Sequence, residues 1–220
     1  MPATTTRAIT TRVFLLSPAR CDGERAKLVF NPTATFPLAM RLREPEGVPL
    51  GDVFSFLSGL YFRGKLTYAR TFARPPRRAA PVCVITTDRG LMAPDDRVRL
   101  EDLLAFAKVD IAAGSDERYR RPLRRDAESL ARAIPQSTRV VLLGSIATGK
   151  YVDTLCDVFG ERLLFPLAFV GRGDMSRGGL LLRAAREGEE LEYGPVAGGV
   201  RRGGRPPKLA RSHTRARTSR

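Results

Sequence analysis

The chain has 220 residues, enough for one domain with tails and a substantial core, and carries 38 Lys or Arg against 23 Asp or Glu, a formal net charge of +15. No apolar run approaches the roughly 18 residues of a membrane span, and Met1–Arg12 lacks the apolar centre of a signal peptide, so a cytoplasmic protein with no membrane partner is expected. A single histidine, His213, and three scattered cysteines argue against a Ser-His-Asp or Cys-His device, a zinc-water hydrolase or a disulfide framework, and no metal or cofactor is expected.

Residues 1–11 read as a disordered polar leader, and Val13–Leu16 as a strand running into a loop at Ser17–Pro18. Cys21 follows that strand end. Without a His partner its activation rests on Arg20, Arg25 or a helix terminus, so a structural thiol is the simpler reading. Asp22 shares the loop. From Glu24 to Phe56, prolines 32, 37, 45 and 49 interrupt the pattern and predict short helices and turns. Beyond Ser58, Phe62, Leu66 and Ala69 recur at i, i+4, i+7. This predicts an amphipathic basic helix with Arg63, Lys65 and Arg70 mostly off the apolar stripe.

Val82–Thr86 is the second strand candidate, and the turn-rich stretch after it carries Asp88. Helices are expected near Leu100–Ala107 and over the highly charged Asp116–Ile134, which Pro135 stops. Val140–Leu143 reads as a third strand, Gly149–Phe159 as a helix and Leu163–Phe165 as a short fourth strand. Strands alternating with helices predict an α/β fold with a mainly parallel central sheet flanked by helices. Ligands of such sheets bind beyond the strand carboxyl ends. Ser17–Gly23, Thr86–Gly90 and Gly144–Lys150 then share one rim.

The third of these loops has the outline of a phosphate-binding loop. Gly144, Gly149 and Lys150 satisfy G-x-x-x-x-G-K, but Tyr151 stands where the motif needs the Ser or Thr hydroxyl that ligates magnesium, and no convincing acid ends a second strand. Two readings remain. A glycine-rich turn entering a helix offers backbone N–H groups to phosphate, assisted by Ser145, Thr148 or Lys150; equally, it is a tight turn with a solvated lysine.

Gly171-x-Gly173-x-x-Ser176-x-x-x-Leu180 has the spacing of a helix-hairpin-helix turn, which bonds DNA phosphate through backbone N–H groups and gives register without sequence readout. Arg177 stands where a small residue normally lets the two helices pack, and Gly178–Gly179 weaken the second helix by about 1 kcal/mol each relative to Ala. Arg172, Asp174, Ser176 and Arg177 set one carboxylate among cationic and hydroxyl groups, where Asp174 either orients water and stabilises a developing cation or simply caps the following helix. Asp22 and Asp88 on the neighbouring loops are the other carboxylates that this pocket might recruit, with turn formation as their plainer role. Tyr61, Phe62 and Phe169 are aromatics that either stack on an extruded base or belong to the core.

Residues 196–220 read as a disordered basic tail after an α/β domain spanning 12–195. The last twenty residues hold 8 of the 38 basic side chains and no acid, so the remainder keeps 30 against 23 and is itself basic. Polyanion binding explains such a surface, as does a solvated arginine-rich exterior. "GGRPPK", with Arg205, approaches a minor-groove hook, but Gly204 replaces the first Arg of the Arg-Gly-Arg-Pro core, which favours nonspecific phosphate contact.

Leu60, Tyr61, Phe62, Tyr68 and Ala69, then Thr86, Gly90, Leu91, Pro94 and Asp95, then Gly144 and Tyr151 together resemble the YaaA-like group of peroxide-stress proteins and their relatives, while Thr87–Asp88–Arg89 departs from its pattern. The resemblance implies an α/β fold, a DNA-binding hairpin and a DNA-related role. The resemblance does not fix a reaction; with the one histidine, His213, in the tail, the chemistry that remains feasible is carboxylate-assisted cleavage of an N-glycosidic bond or base exchange on a nucleotide, with DNA ahead of RNA as partner, and a noncatalytic DNA-protecting protein and a nucleotide-binding regulator are the alternatives.

Overall fold

The computed structural model describes residues 10–111, 116–147, 149–199 and 203–204. Thr148, Arg205 and most of the expected tail lie outside the described residues. In chain order the elements are β1 (Arg12–Leu16), α1 (Glu24–Phe30), α2 (Pro37–Arg41), β2 (Val48–Pro49), α3 (Leu50–Ser58), α4 (Leu60–Phe72), β3 (Val82–Ile85), β4 (Leu91–Met92), β5 (Arg97–Val98) and α5 (Leu100–Ala107). They continue through α6 (Glu117–Ala133), β6 (Arg139–Leu143), α7 (Gly149–Phe159), β7 (Leu163–Pro166), α8 (Asp174–Glu187) and β8 (Tyr193–Pro195).

The main sheet has six strands in the order β4-β3-β1-β6-β7-β8. Its centre, β3-β1-β6-β7, is parallel, and β4 and β8 close the two edges antiparallel. Parallel strands are buried on both faces, so they read as unbroken apolar runs. Phe14, Leu16, Val84, Val141 and Leu143 face one core with α3, α4, α5 and α8; Val13, Leu15, Ile85, Val140 and Leu142 face the other with α6 and α7. Val196 is fully buried and donates its N–H to the Leu163 carbonyl, so the folded unit runs past Pro195.

Two expectations change. The segment around Gly171 and Gly173 is not a pair of helices joined by a hairpin: strand β7 is followed by a 3₁₀ turn, Leu167–Phe169, and the only helix is α8, which begins after Gly173. Pro166, which ends β7, leaves too few residues before the glycines for a first helix. The glycine of α8 serves another contact. A Cβ on Gly178 would stand 2.8 Å from the Leu60 carbonyl oxygen, and one on Gly64 2.7 Å from the Gly178 carbonyl oxygen, so α4 and α8 pack backbone to backbone.

The second change concerns Lys65, which is 1% exposed rather than solvated. Helix α4 is covered on more than one side, and Tyr61, Lys65, Tyr68 and Phe72 form a second buried row at i, i+4, i+7, i+11 beside Phe62, Leu66 and Ala69.

Candidate functional site

The chain leaves β1 toward β3 on one side and leaves β6 toward β7 on the other, so the loops after β1 and β6 diverge and open a crevice at the strand carboxyl ends. The Ser17 N–H donates to the Leu143 carbonyl at 3.1 Å and ties the two strand ends together. A crevice of about 500 Å³ opens above them, with Ser17, Arg20, Arg25, Tyr61, Ser145, Lys150, Tyr151 and Asp174 among its walls. Beside it, a cavity of about 390 Å³ shares Arg20, Ile111 and Lys150 and adds Cys21, Asp22 and Thr87.

The floor is built by three hydroxyls and one amine. Lys65 Nζ donates to the Ser17 carbonyl at 2.6 Å and to Ser17 Oγ at 2.8 Å, and stands 4.6 Å and 4.7 Å from the ring centroids of Tyr61 and Phe62. Burial disfavours the ammonium and takes the Lys65 pKa down to about 7; Asp174 pulls it up and Arg177 pushes it down by smaller amounts. The Tyr151 hydroxyl donates to the Ser145 carbonyl at 2.9 Å. Gly144 is required between these groups, since a Cβ there would stand 2.7 Å from the Tyr151 hydroxyl and 2.8 Å from Ser17 Cβ. Tyr61 lines the crevice while its hydroxyl is buried without a hydrogen-bond partner; the Arg177 guanidinium nearby donates to the Phe169 carbonyl.

The residues expected to form the site separate into three groups. Asp174, Ser145 and Lys150 line the crevice; Asp174 is 69% exposed and 3.6 Å from Arg177. Asp22 reaches only the adjoining cavity, where its hydrogen bonds from Arg20 hold its carboxyl below the usual range, with a smaller pull from Lys150. Asp88 and Ser176 line neither cavity. Asp88 has a buried, unbonded Oδ1, and burial raises its pKa, while Ser176 accepts a hydrogen bond from Arg172 at 3.2 Å on the first turn of α8. Arg172 also donates to the Ala168 carbonyl, and Arg177, mostly buried, holds the turn by donating to Phe169. Gly171 shapes that turn with φ +71°, whereas Gly173, the residue before α8, has ordinary extended backbone.

The loop resembling a nucleotide cradle is a turn fitted to its own side chains. The Asp153 carboxylate folds back against Gly149, and the Tyr151 side chain is buried. Cys21 is 4% exposed, and burial, reinforced by Asp22 and Asp88, pushes its pKa up to about 12, which favours the thiol over the thiolate. Among the described residues, no group of three His, Cys, Asp or Glu side chains is placed to hold a metal ion, and no helix is long and apolar enough to cross a membrane.

No known protein family, curated protein or solved structure matches this chain. Sequence reasoning placed Ser17 on the rim without giving it a role, and it set Lys65 mostly off the apolar stripe, missing its burial against Ser17. A lysine at the i+4 position of an otherwise aromatic row, with Gly64 beside it, was the available sign of its burial.

Proposed function

We propose that this chain processes nucleic acid by taking one nucleotide into the crevice, where Asp174 stabilises the cation that develops as an N-glycosidic bond breaks. The observation that carries the reading is the convergence of the Asp174 carboxylate with the aromatic wall of Tyr61 and the cations Arg25 and Lys150 around about 500 Å³, a volume suited to a single small ligand; Glu24 and Arg20, also in the lining, are ion-paired with Lys27 and Asp22. Arg25 and Lys150 meet the flanking phosphates, giving affinity and register, while Tyr61 forms a wall for the extruded base. The single helix after Gly173 removes the hairpin as the phosphate grip, so the crevice cations and the basic exterior take that part. The resemblance to the YaaA-like group supports DNA ahead of RNA as the substrate.

The test is base release from single- and double-stranded oligonucleotides, comparing the full chain with Asp174→Asn. A carboxylate that stabilises developing charge is worth about 10²–10³ in rate, so Asp174→Asn is expected to lose release by that factor while its oligonucleotide affinity stays within about threefold. Binding without release in the unaltered chain sinks the enzymatic reading and leaves a DNA-binding protein.

A further inference from the structure

We propose that Ser17 is a nucleophile activated by Lys65, and that the crevice forms an acyl-serine from a carboxylic ester whose alcohol portion carries a phosphate. This goes beyond the nucleic-acid reading and does not rest on it.

The geometry is that of a nucleophile–base pair. Ser17, 7% exposed, lines the crevice, and its Oγ lies 2.8 Å from Lys65 Nζ, within the range required for proton transfer. The second bond, from Nζ to the Ser17 carbonyl at 2.6 Å, fixes the amine against that one residue. Among the described residues Lys65 makes no ion pair. The titratable and charged groups that face the Ser17–Lys65 pair are Tyr61 on α4, Tyr151 on α7, and Asp174 and Arg177 on α8, the last two acting on the amine with opposite sign. Burial therefore governs the amine, and by taking its pKa down to about 7 it favours the neutral form that can act as a base.

The fold gives a reason for the site as well as a mechanism. A fully buried lysine with no carboxylate partner is costly, and a methionine would fill the same row of α4 more cheaply. The Tyr61 side chain lines the crevice, and its buried hydroxyl has Arg177 beside it and no acceptor for its own proton. Its open role is a hydrogen bond to the oxyanion of a tetrahedral adduct. Arg20, Arg25 and Lys150 at the rim select an anionic alcohol portion.

In the reaction, neutral Lys65 takes the Ser17 hydroxyl proton as the Oγ–C bond forms. The adduct collapses with cleavage of the ester C–O bond, and the proton passes from Lys65 to the departing alcohol. Water then attacks the acyl-serine, giving its proton to Lys65 and its oxygen to the released acid, and Ser17 recovers a proton from Lys65.

The experiment uses the full chain with an alkyl fluorophosphonate, which phosphonylates an activated serine with loss of fluoride, read by intact mass and peptide mapping from pH 6 to 9. One adduct on Ser17 is expected, forming faster as pH rises through about 7, absent in Ser17→Ala, and about 100-fold slower or more in Lys65→Met or Lys65→Arg. No adduct on the folded chain at pH 9, an adduct on another residue, or equal rates with and without Lys65 overturns the proposal. Mapping on the unaltered chain decides the matter even where a Lys65 variant does not fold. Oligonucleotide binding takes no part in labelling, so failure of the nucleic-acid reading is seen separately.

Discussion

Replacing Lys65 with Met tests the burial argument through pH. In the unfolded chain this amine titrates at its ordinary 10.5, whereas in the fold its pKa drops to about 7 because burial disfavours the ammonium. Below pH 7 both states are protonated and the folded state bears the whole cost, on the order of 5 kcal/mol at 1.36 kcal/mol per pH unit. Between pH 7 and 10.5 only the unfolded chain holds the extra proton, so the cost recedes and stability rises with pH across that window. Relative to Lys65→Met, the unaltered protein should gain about 2 kcal/mol between pH 7 and pH 9. Urea unfolding followed by circular dichroism at pH 7, 8 and 9 measures this difference. The hydrogen bonds to Ser17 lost in the variant shift the offset between the two proteins rather than the slope. Titration of the buried cysteines and tyrosines is common to both and cancels. A difference that stays constant from pH 7 to 9 refutes the depressed amine and, with it, the idea of Lys65 as a ready base.

The contact between α4 and α8 predicts that Gly178→Ala destabilises the fold by about 1–3 kcal/mol through backbone overlap with Leu60, lowering Tm by several degrees, although alanine is the better helix former. Gly173→Ala, whose Cβ would meet nothing within 4 Å, should leave Tm nearly unchanged. Cys21 and Cys83 are buried, with pKa values pushed up to about 12 and about 11, so an aromatic disulfide reagent should titrate the half-buried Cys156 first and reach all three thiols only in denaturant. Rapid modification of Cys21 in the native protein would contradict its burial beside the crevice.

The parallel centre of the sheet was legible because strands buried on both faces are continuous apolar runs, as in Val13–Leu16 and Val140–Leu143, and because α5 and α7 follow clear periodic stretches. The edge strands were not. Leu91–Met92 pairs over two residues and Tyr193–Pro195 over three, too short for alternation to show, and their place depends on β3 and β7 being there to receive them. Gly178 was read as a weakness of its helix because propensity is local, whereas its reason is a neighbouring backbone more than a hundred residues earlier in the chain. The same limit hid Lys65. Ser17 and Lys150 were expected on one rim because strand-end loops converge in any such sheet, whereas Asp174 was singled out by its neighbours in sequence; Asp88 and Ser176 line neither cavity, which loop position does not encode.

The crevice as a nucleic-acid site is tested most directly by the salt dependence of oligonucleotide affinity, measured by fluorescence anisotropy for the full chain and for Arg25→Ala/Lys150→Ala with the basic tail intact. Two lost phosphate contacts on a single strand should reduce the slope of log K against log salt by about 1.4 and weaken binding at every salt concentration. An unchanged slope and affinity would place nucleic-acid contact on the tail or outer surface and contradict the crevice as the site where a nucleotide is held.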